Sequence, residues 1–282
     1  MSSLEFTLFR VNVSPSNQLK LWPSKMGPSD ILKMKIQALP SIESTRGSRW
    51  HIGNVEALDE KSSYFRIGRV SSATVEVFKD GKFADQEFER APYTHAVIDN
   101  ELEVVAIAKK FSLSPNVHTV ASQLCRLLND ASRGSDIDAS FEIDTIDDPE
   151  DFITHLKKAD AIGKFWITFA RPNPLDADAD FQKPLQAVLR SLNGDRGRTD
   201  FRGEGLDAEG LSKLARSAAA TGNDAGAALR THKGSKMVKK RLKGNVALVL
   251  WKELIDKADM LALVADVRKQ YRKIRYGTPD PK

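Results

Sequence analysis

The stretch GKFWITFARP, residues 163–172, decides how the second half of this chain folds. It is a strongly apolar strand, expected at the centre of its sheet, and Pro172 and Pro174 stop it because proline brings no N–H to a ladder. Before it, ASFEIDTID reads as a strand. DDPEDFITHLKKA reads as a helix, with acids in its first turn and lysines in its last, which suits the helix macrodipole. After it, DFQKPLQAVLRSLNG is a helix ended by Gly194. GLDAEGLSKLARSAAATG is another, capped by Asp207 and terminated at Gly222. AGAALRT, a basic segment and NVALVLWKEL follow. A final helix from about Lys257 to Arg275 buries a stripe of Met260, Leu263, Val264, Val267, Tyr271 and Ile274.

The first half is richer in strands. EFTLFRVNV (residues 5–13) alternates as a strand should. GPSDILKMKIQAL is a helix with Ser29 or Asp30 as its N-cap and Pro40 at its end. WHIGNVEALD and SSYFRIGRVS are two strands around the turn Asp59-Glu60-Lys61. ATVEVFKDGKFADQEFE is a hairpin, since Asp80-Gly81 suits a tight turn with positive φ. THAVIDNELEVVAIAKK is a second hairpin, and VHTVASQLCRLLNDA is an amphipathic helix. The fold class expected is α+β in two domains. Residues 1–133 form a mostly antiparallel sheet with two helices. Residues 137–282 form a ferredoxin-like α+β domain with a basic hairpin and a terminal helix.

Composition excludes several classes. The chain has 282 residues, 41% of them hydrophobic and 29% charged, a globular balance. No run approaches the ~20 apolar residues of a membrane helix, so direct membrane insertion is not expected. The start, MSSLEFTLFRVNV, reads as a strand rather than an export signal. The single cysteine, Cys125, excludes an internal disulfide framework and a Cys-based zinc site within one chain. Its place on the inward side of a helix makes it a small hydrophobe. A cytoplasmic protein is expected.

The charge is unevenly spread. Residues 230–244, RTHKGSKMVKKRLKG, hold seven cations and no acid. From Arg230 to Arg275, fourteen Lys/Arg against four Asp/Glu give +10, whereas the whole chain carries +5. The remainder is therefore acidic. If the basic segment is a strand, Lys233, Met237, Lys239, Arg241 and Lys243 share a face at ~7 Å intervals, opposite Lys236, Val238, Lys240 and Leu242. If it is a helix, Val238, Leu242, Val246 and Val249 form its apolar stripe, weakened by Gly244. Both geometries are open at this point. Either exposes a cationic surface suited to a polyanion. The candidate nucleic-acid-binding residues are Arg230, Lys233, Lys236, Lys239, Lys240, Arg241 and Lys243, with Arg268, Lys269, Arg272 and Lys273 extending the surface. The bland alternative is a solvated face, with helix-terminal cations on the last element. Nearby rings are few: His232, Trp251, Tyr271 and Tyr276. Their sparseness argues against stacking on single strands and for backbone contact.

Catalytic signatures are weak, so the chain leans away from being an enzyme, and no catalytic residue, metal or cofactor is assigned. There is no GxxxxGK[ST] and no GxGxxG after a strand; RGEG (202–205) and RGSR (46–49) read as turns. Asp176, Asp178 and Asp180 resemble the start of a calcium loop, but its sixth and twelfth positions are Phe181 and Ala187. Eight acids lie between Asp136 and Asp151. A solvated edge and helix-start acids explain them most simply; a magnesium nuclease site or a DNA-mimicking surface is the sharper alternative. The D-x-K pairs Asp59/Lys61 and Asp80/Lys82 fall in turns. His51, His95, His118, His155 and His232 are scattered.

The hairpin THAVIDNELEVVAIAKKFSLSP with its following helix, and then the order FEIDTI, helix, FWITFARPNP, helix, basic hairpin, helix, resembles the RexA-like phage exclusion and anti-phage defence proteins. More distantly, it resembles the DNA-binding KwaB component of the Kiwa defence system. Ala106 and Ala108 stand where the family has a glycine-alanine step. The resemblance spans most of the chain and implies a dimeric defence protein that binds DNA, rather than RNA, with little sequence preference. It implies a sensor or regulator of phage exclusion or abortive infection, with a possible partner protein encoded nearby. No catalytic residue carries over. The alternatives are a metal-dependent nuclease effector and a non-enzymatic protein–protein adaptor.

Overall fold

The computed structural model describes residues 3–15, 26–43, 47–135, 137–170, 181–192, 194–254 and 256–277. The expected stops Pro172 and Pro174, the Asp176–Asp178–Asp180 run and Asp136 lie outside them. In chain order the elements are β1 (Leu4–Pro15), α1 (Pro28–Gln37), β2 (Ser41–Glu43), β3 (Arg49–Ala57), β4 (Ser62–Lys79), β5 (Lys82–Arg90), β6 (Tyr93–Asp99), β7 (Val104–Ala108) and α2 (Val117–Ser132). Then come β8 (Ala139–Thr145), α3 (Glu150–Lys158), β9 (Ala161–Ala170), α4 (Gln182–Ser191), β10 (Arg196–Arg202), α5 (Ala208–Ala220), β11 (Ala225–Arg230), β12 (Val238–Arg241), β13 (Leu248–Trp251) and α6 (Lys257–Tyr276). The class is α+β, with mostly antiparallel strands.

The chain forms two compact units. One comprises Met1–Phe6, Val13–Ile143 and Trp251–Leu261; the other comprises Thr7–Asn12, Asp144–Leu250 and Ala262–Lys282. Each unit thus borrows short segments from the other half of the sequence.

In the first unit the strands lie in the order β7-β6-β4-β3-β2. Trp50, Ile52, Phe65, Ile67, Ala96, Ile98, Val105 and Ile107 are buried, as are Ile31, Leu32 and Ile36 of α1 and Val120, Leu124, Leu127 and Leu128 of α2. Strand β3 alternates with the period of two of a half-covered strand, whereas β7 is buried along its whole length, as a strand covered on both faces is. Helix α1 differs from expectation at its start. Its N-cap is Gly27 with Pro28 in the first turn, and the Asp30 carboxylate accepts the Gly27 N–H at 3.0 Å. A proline there loses no helical bond, since the first N–H groups are unpaired anyway. Strand β4 also differs. Two separate stretches were expected, but one strand of 18 residues runs through both. Its first part pairs with β3 and β6, and its second with β5 alone, around the turn Asp80-Gly81 at φ 51° and 78°.

In the second unit β9 lies between β10 and β11, in the order β10-β9-β11-β12, with every pairing antiparallel. The βαββαβ order of a ferredoxin-like core is not established by this sheet: a helix separates β9 from β10 and another separates β10 from β11. One face is covered. Ile162, Phe165, Ile167 and Phe169 of β9 are buried, as are Phe152, Ile153 and Leu156 of α3, Leu189 of α4 and Leu211 and Ala215 of α5. Phe165 lies 6.4 Å from both Phe152 and Phe201, ring to ring. Gln182 Nε2 donates to Ser217 Oγ at 2.6 Å, joining α4 to α5. Elsewhere in this unit the middle of β1 is flanked by Ile146 and Ala247, through Ile146 N–H to the Leu8 carbonyl at 3.1 Å and Leu8 N–H to the Ala247 carbonyl at 3.0 Å. The fully buried Arg10 donates to Tyr271 Oη of α6 at 3.0 Å.

Asp207 is the N-cap of α5, as expected, and its carboxylate accepts the N–H groups of Glu209 at 3.3 Å and Gly210 at 2.7 Å. Asp207→Ala should lower unfolding stability by about 1 kcal/mol, measured by urea titration.

Candidate functional site

The basic segment resolves into a strand. Residues 238–241 pair with β11 as Leu229↔Val238, Ala228↔Lys239, Ala227↔Lys240 and Gly226↔Arg241. Directly opposed residues in an antiparallel pair share a face. Ala227 and Leu229 are buried on the helix-covered side, so Lys239 and Arg241 project from the open side and Lys240 does not. The expected row of cations is therefore shorter than the sequence suggested. Lys233 and Lys236 are exposed in the loop between β11 and β12. Lys243 follows the buried Leu242 and interacts with the Asp147 carboxylate.

The pairing places other residues on the open side instead. From β9 come Lys164, Trp166 and Thr168; from β10 come Arg196, Arg198, Asp200 and Arg202. Trp166 stands opposite Asp200 on one side and Gly226 on the other. The Arg198 guanidinium lies 4.5 Å from the centroid of its ring, and that of Arg241 lies 5.6 Å away. Cations within about 6 Å of an indole are attracted by its quadrupole. A side chain at 226 would meet three atoms of the indole at 2.6–2.7 Å. Glycine there leaves room for the ring to lie across β11.

Two acids of this face are engaged by its cations. Asp200 bonds Lys164 Nζ at 2.9 Å and Arg198 at 3.0 Å. The Lys164 ammonium, and then the Arg198 guanidinium, hold its carboxyl below the usual carboxylate range. Arg230 Nε bonds Asp160 at 2.7 Å. Against these two acids the face carries Lys164, Arg196, Arg198, Arg202, Arg230, Lys239 and Arg241. It is a cationic sheet surface with one aromatic ring near its middle.

The α6 cations belong to a different surface. Arg216 of α5 reaches the Lys273 and Ile274 carbonyls at 3.3 and 3.4 Å and Glu150 of α3 at 2.9 Å. This ties the end of α6 to the helices that cover the sheet, away from Trp166. Lys269, Arg272 and Lys273 line a groove of about 790 Å³ with Leu248 and Leu250 of β13. Arg268 lies on the same helix, half-buried.

Trp166, Arg196, Arg198 and Arg202 lie far from the basic segment in sequence, and nothing in its pattern points to them. Strand β10 has period-two alternation, with charges at 196, 198, 200 and 202, but Phe201 is the only large apolar residue on its inner side. That alternation was the available signal. Among the described residues, no three His, Cys, Asp or Glu side chains converge to hold a metal ion. Lys61 N–H donates to Asp59 at 2.8 Å within a turn, and Asp144 accepts from Asn12 at 3.2 Å. The chain matches no family model and no curated protein.

Two outcomes test this geometry. Burial pushes the Asp147 carboxyl up to about 6, against the Gly244 N–H and Lys243, which favour its charge. A carboxyl raised from 3.8 to about 6 stabilises the fold below about pH 4, and that contribution is lost as pH rises through 6. Asp147→Asn should therefore flatten the fall in stability between pH 4 and 7, read from thermal melts. Gly226→Val should drive a branched side chain into the Trp166 indole and lower stability by about 1–3 kcal/mol, measured by urea titration.

Proposed function

We propose that this chain binds nucleic acid, DNA rather than RNA, through its sugar-phosphate backbone with little sequence preference. Its role is that of a sensor or regulator in phage exclusion or anti-phage defence, acting as a homodimer. The observation that carries the binding reading is the open face of the second unit's sheet. There Arg198 of β10 and Arg241 of β12 approach one indole from its two sides, with Lys164 and Lys239 on the same face. Guanidinium groups present a fork of donors that fits phosphate oxygens. A flat surface of such groups offers no bidentate reading of base edges, which is why sequence preference is expected to be small. The defence role rests on the RexA-like order of elements.

The test is binding to a labelled duplex, measured by fluorescence anisotropy over a range of salt. Each neutralised phosphate contact contributes about 0.9 to the salt slope. The triple variant Arg198→Ala, Lys239→Ala, Arg241→Ala should weaken binding for every sequence and reduce the slope by about 2–3. The triple variant Lys269→Ala, Arg272→Ala, Lys273→Ala on α6 should change the slope less. Wild-type binding by the first triple variant would remove the basis for placing the site on this face.

A further inference from the structure

We infer that the sheet face around Trp166 takes single-stranded DNA, with one unpaired base displacing the Arg198 guanidinium from the half-buried indole and stacking in its place, while Arg198 and Arg241 turn to the adjoining phosphates. This rests on the nucleic-acid reading above and sharpens its substrate. The ring stands on β9, with strands on both sides, so it occupies the interior of the face rather than its rim. A duplex laid on a flat sheet presents sugars and phosphates there, and a phosphate pressed on an indole loses hydration without gaining a hydrogen bond. An unpaired base presents an apolar π-face, which an indole matches whatever the base. Open four-stranded sheets with aromatic rings are one of the ways proteins hold splayed-out bases.

The surroundings agree with that occupant. Arg198 comes from β10 and Arg241 from β12, so the cations flank the ring from opposite sides of the sheet. A strand crossing the sheet would meet phosphate donors before and after the stacked base. On β12, Lys239 and Arg241 project two residues apart, about 7 Å, suited to neighbouring phosphates of an extended strand. Gly226 and Ala228 keep β11 low beneath this path. Stacking is sequence-tolerant, so the face still shows little base preference.

The experiment compares a labelled dT15 oligonucleotide with a fifteen-base-pair duplex, using the full chain. Wild type should bind dT15 more tightly than the duplex. Trp166→Ala should weaken dT15 binding by about tenfold, within the range one base–aromatic stack supplies, and duplex binding by less than about twofold. Trp166→Phe, which keeps a ring, should recover most of the dT15 affinity. Thermal melts establish that each variant is folded. If Trp166→Ala does not fold, fluorescence decides. Titration with dT15 should quench wild-type tryptophan emission, and Trp166→Phe should lose that quench. An undiminished quench overturns the inference, as does an equal loss of affinity for both probes in Trp166→Ala. Duplex binding without any single-strand preference overturns this inference alone and leaves the broader reading standing. Failure to bind either probe removes both.

Discussion

Strand β9 pairs on both of its edges, with β10 on one side and β11 on the other, and most of the second unit follows from that. A strand held on both edges cannot rotate, so its alternate side chains are committed to opposite faces. Phe165 and Ile167 go into the layer beneath the helices; Lys164 and Trp166 go to the other side. The buried phenylalanines anchor the register, and a slip of one residue would exchange them with a lysine and a tryptophan. The surface that gathers the cations is thus the reverse side of the core.

That surface is electrostatically mixed rather than simply basic. Exposed ion pairs such as Lys164–Asp200 add little to stability, but they hold side chains in place. Asp200 binds both Lys164 and Arg198, leaving Arg198 over the indole while part of its charge is met. Arg241 has the indole as its neighbour on the same face. Arginine suits this position because its planar group stacks on a ring and still presents donors at its edge. The α6 cations sit in another setting, beside the apolar Leu248 and Leu250 at a helix end. There the helix dipole accounts for part of their presence.

Much of the local structure was legible in the sequence. The amphipathic periods of α2 and α6, the Asp207 cap and the Asp80-Gly81 turn depend on neighbours within a few residues, and they are found, except that Met260 of the expected α6 stripe is only half-buried. The departures are local too. Pro28 begins α1 one residue ahead of the expected caps, and β4 continues through a serine pair that carries no turn residue. Strand β10 is hard to see in the sequence because its inward side offers Gly197, Thr199 and Phe201, too little apolar surface to mark a strand. Gly197 is small because Phe169 of β9 fills the space a side chain would need, at 2.5 Å. That requirement is a cross-strand one.

By itself, the sequence determined where the charge lies, which segments alternate and where helices begin, since these depend on residues adjacent in the chain. It left residues 236–243 undecided between strand and helix. Pairing with β11 decided that, because edge hydrogen bonds come from a partner strand and not from the segment's own pattern. The tertiary structure also divided the cations, sending Lys239 and Arg241 to one face, Lys240 to the other and the α6 set to a separate surface. Above all it brought Trp166 beneath Arg241 and Arg198. Strand register sets those neighbours, and it is fixed by the burial of Phe165, Ile167 and Leu229 on the opposite side of the sheet.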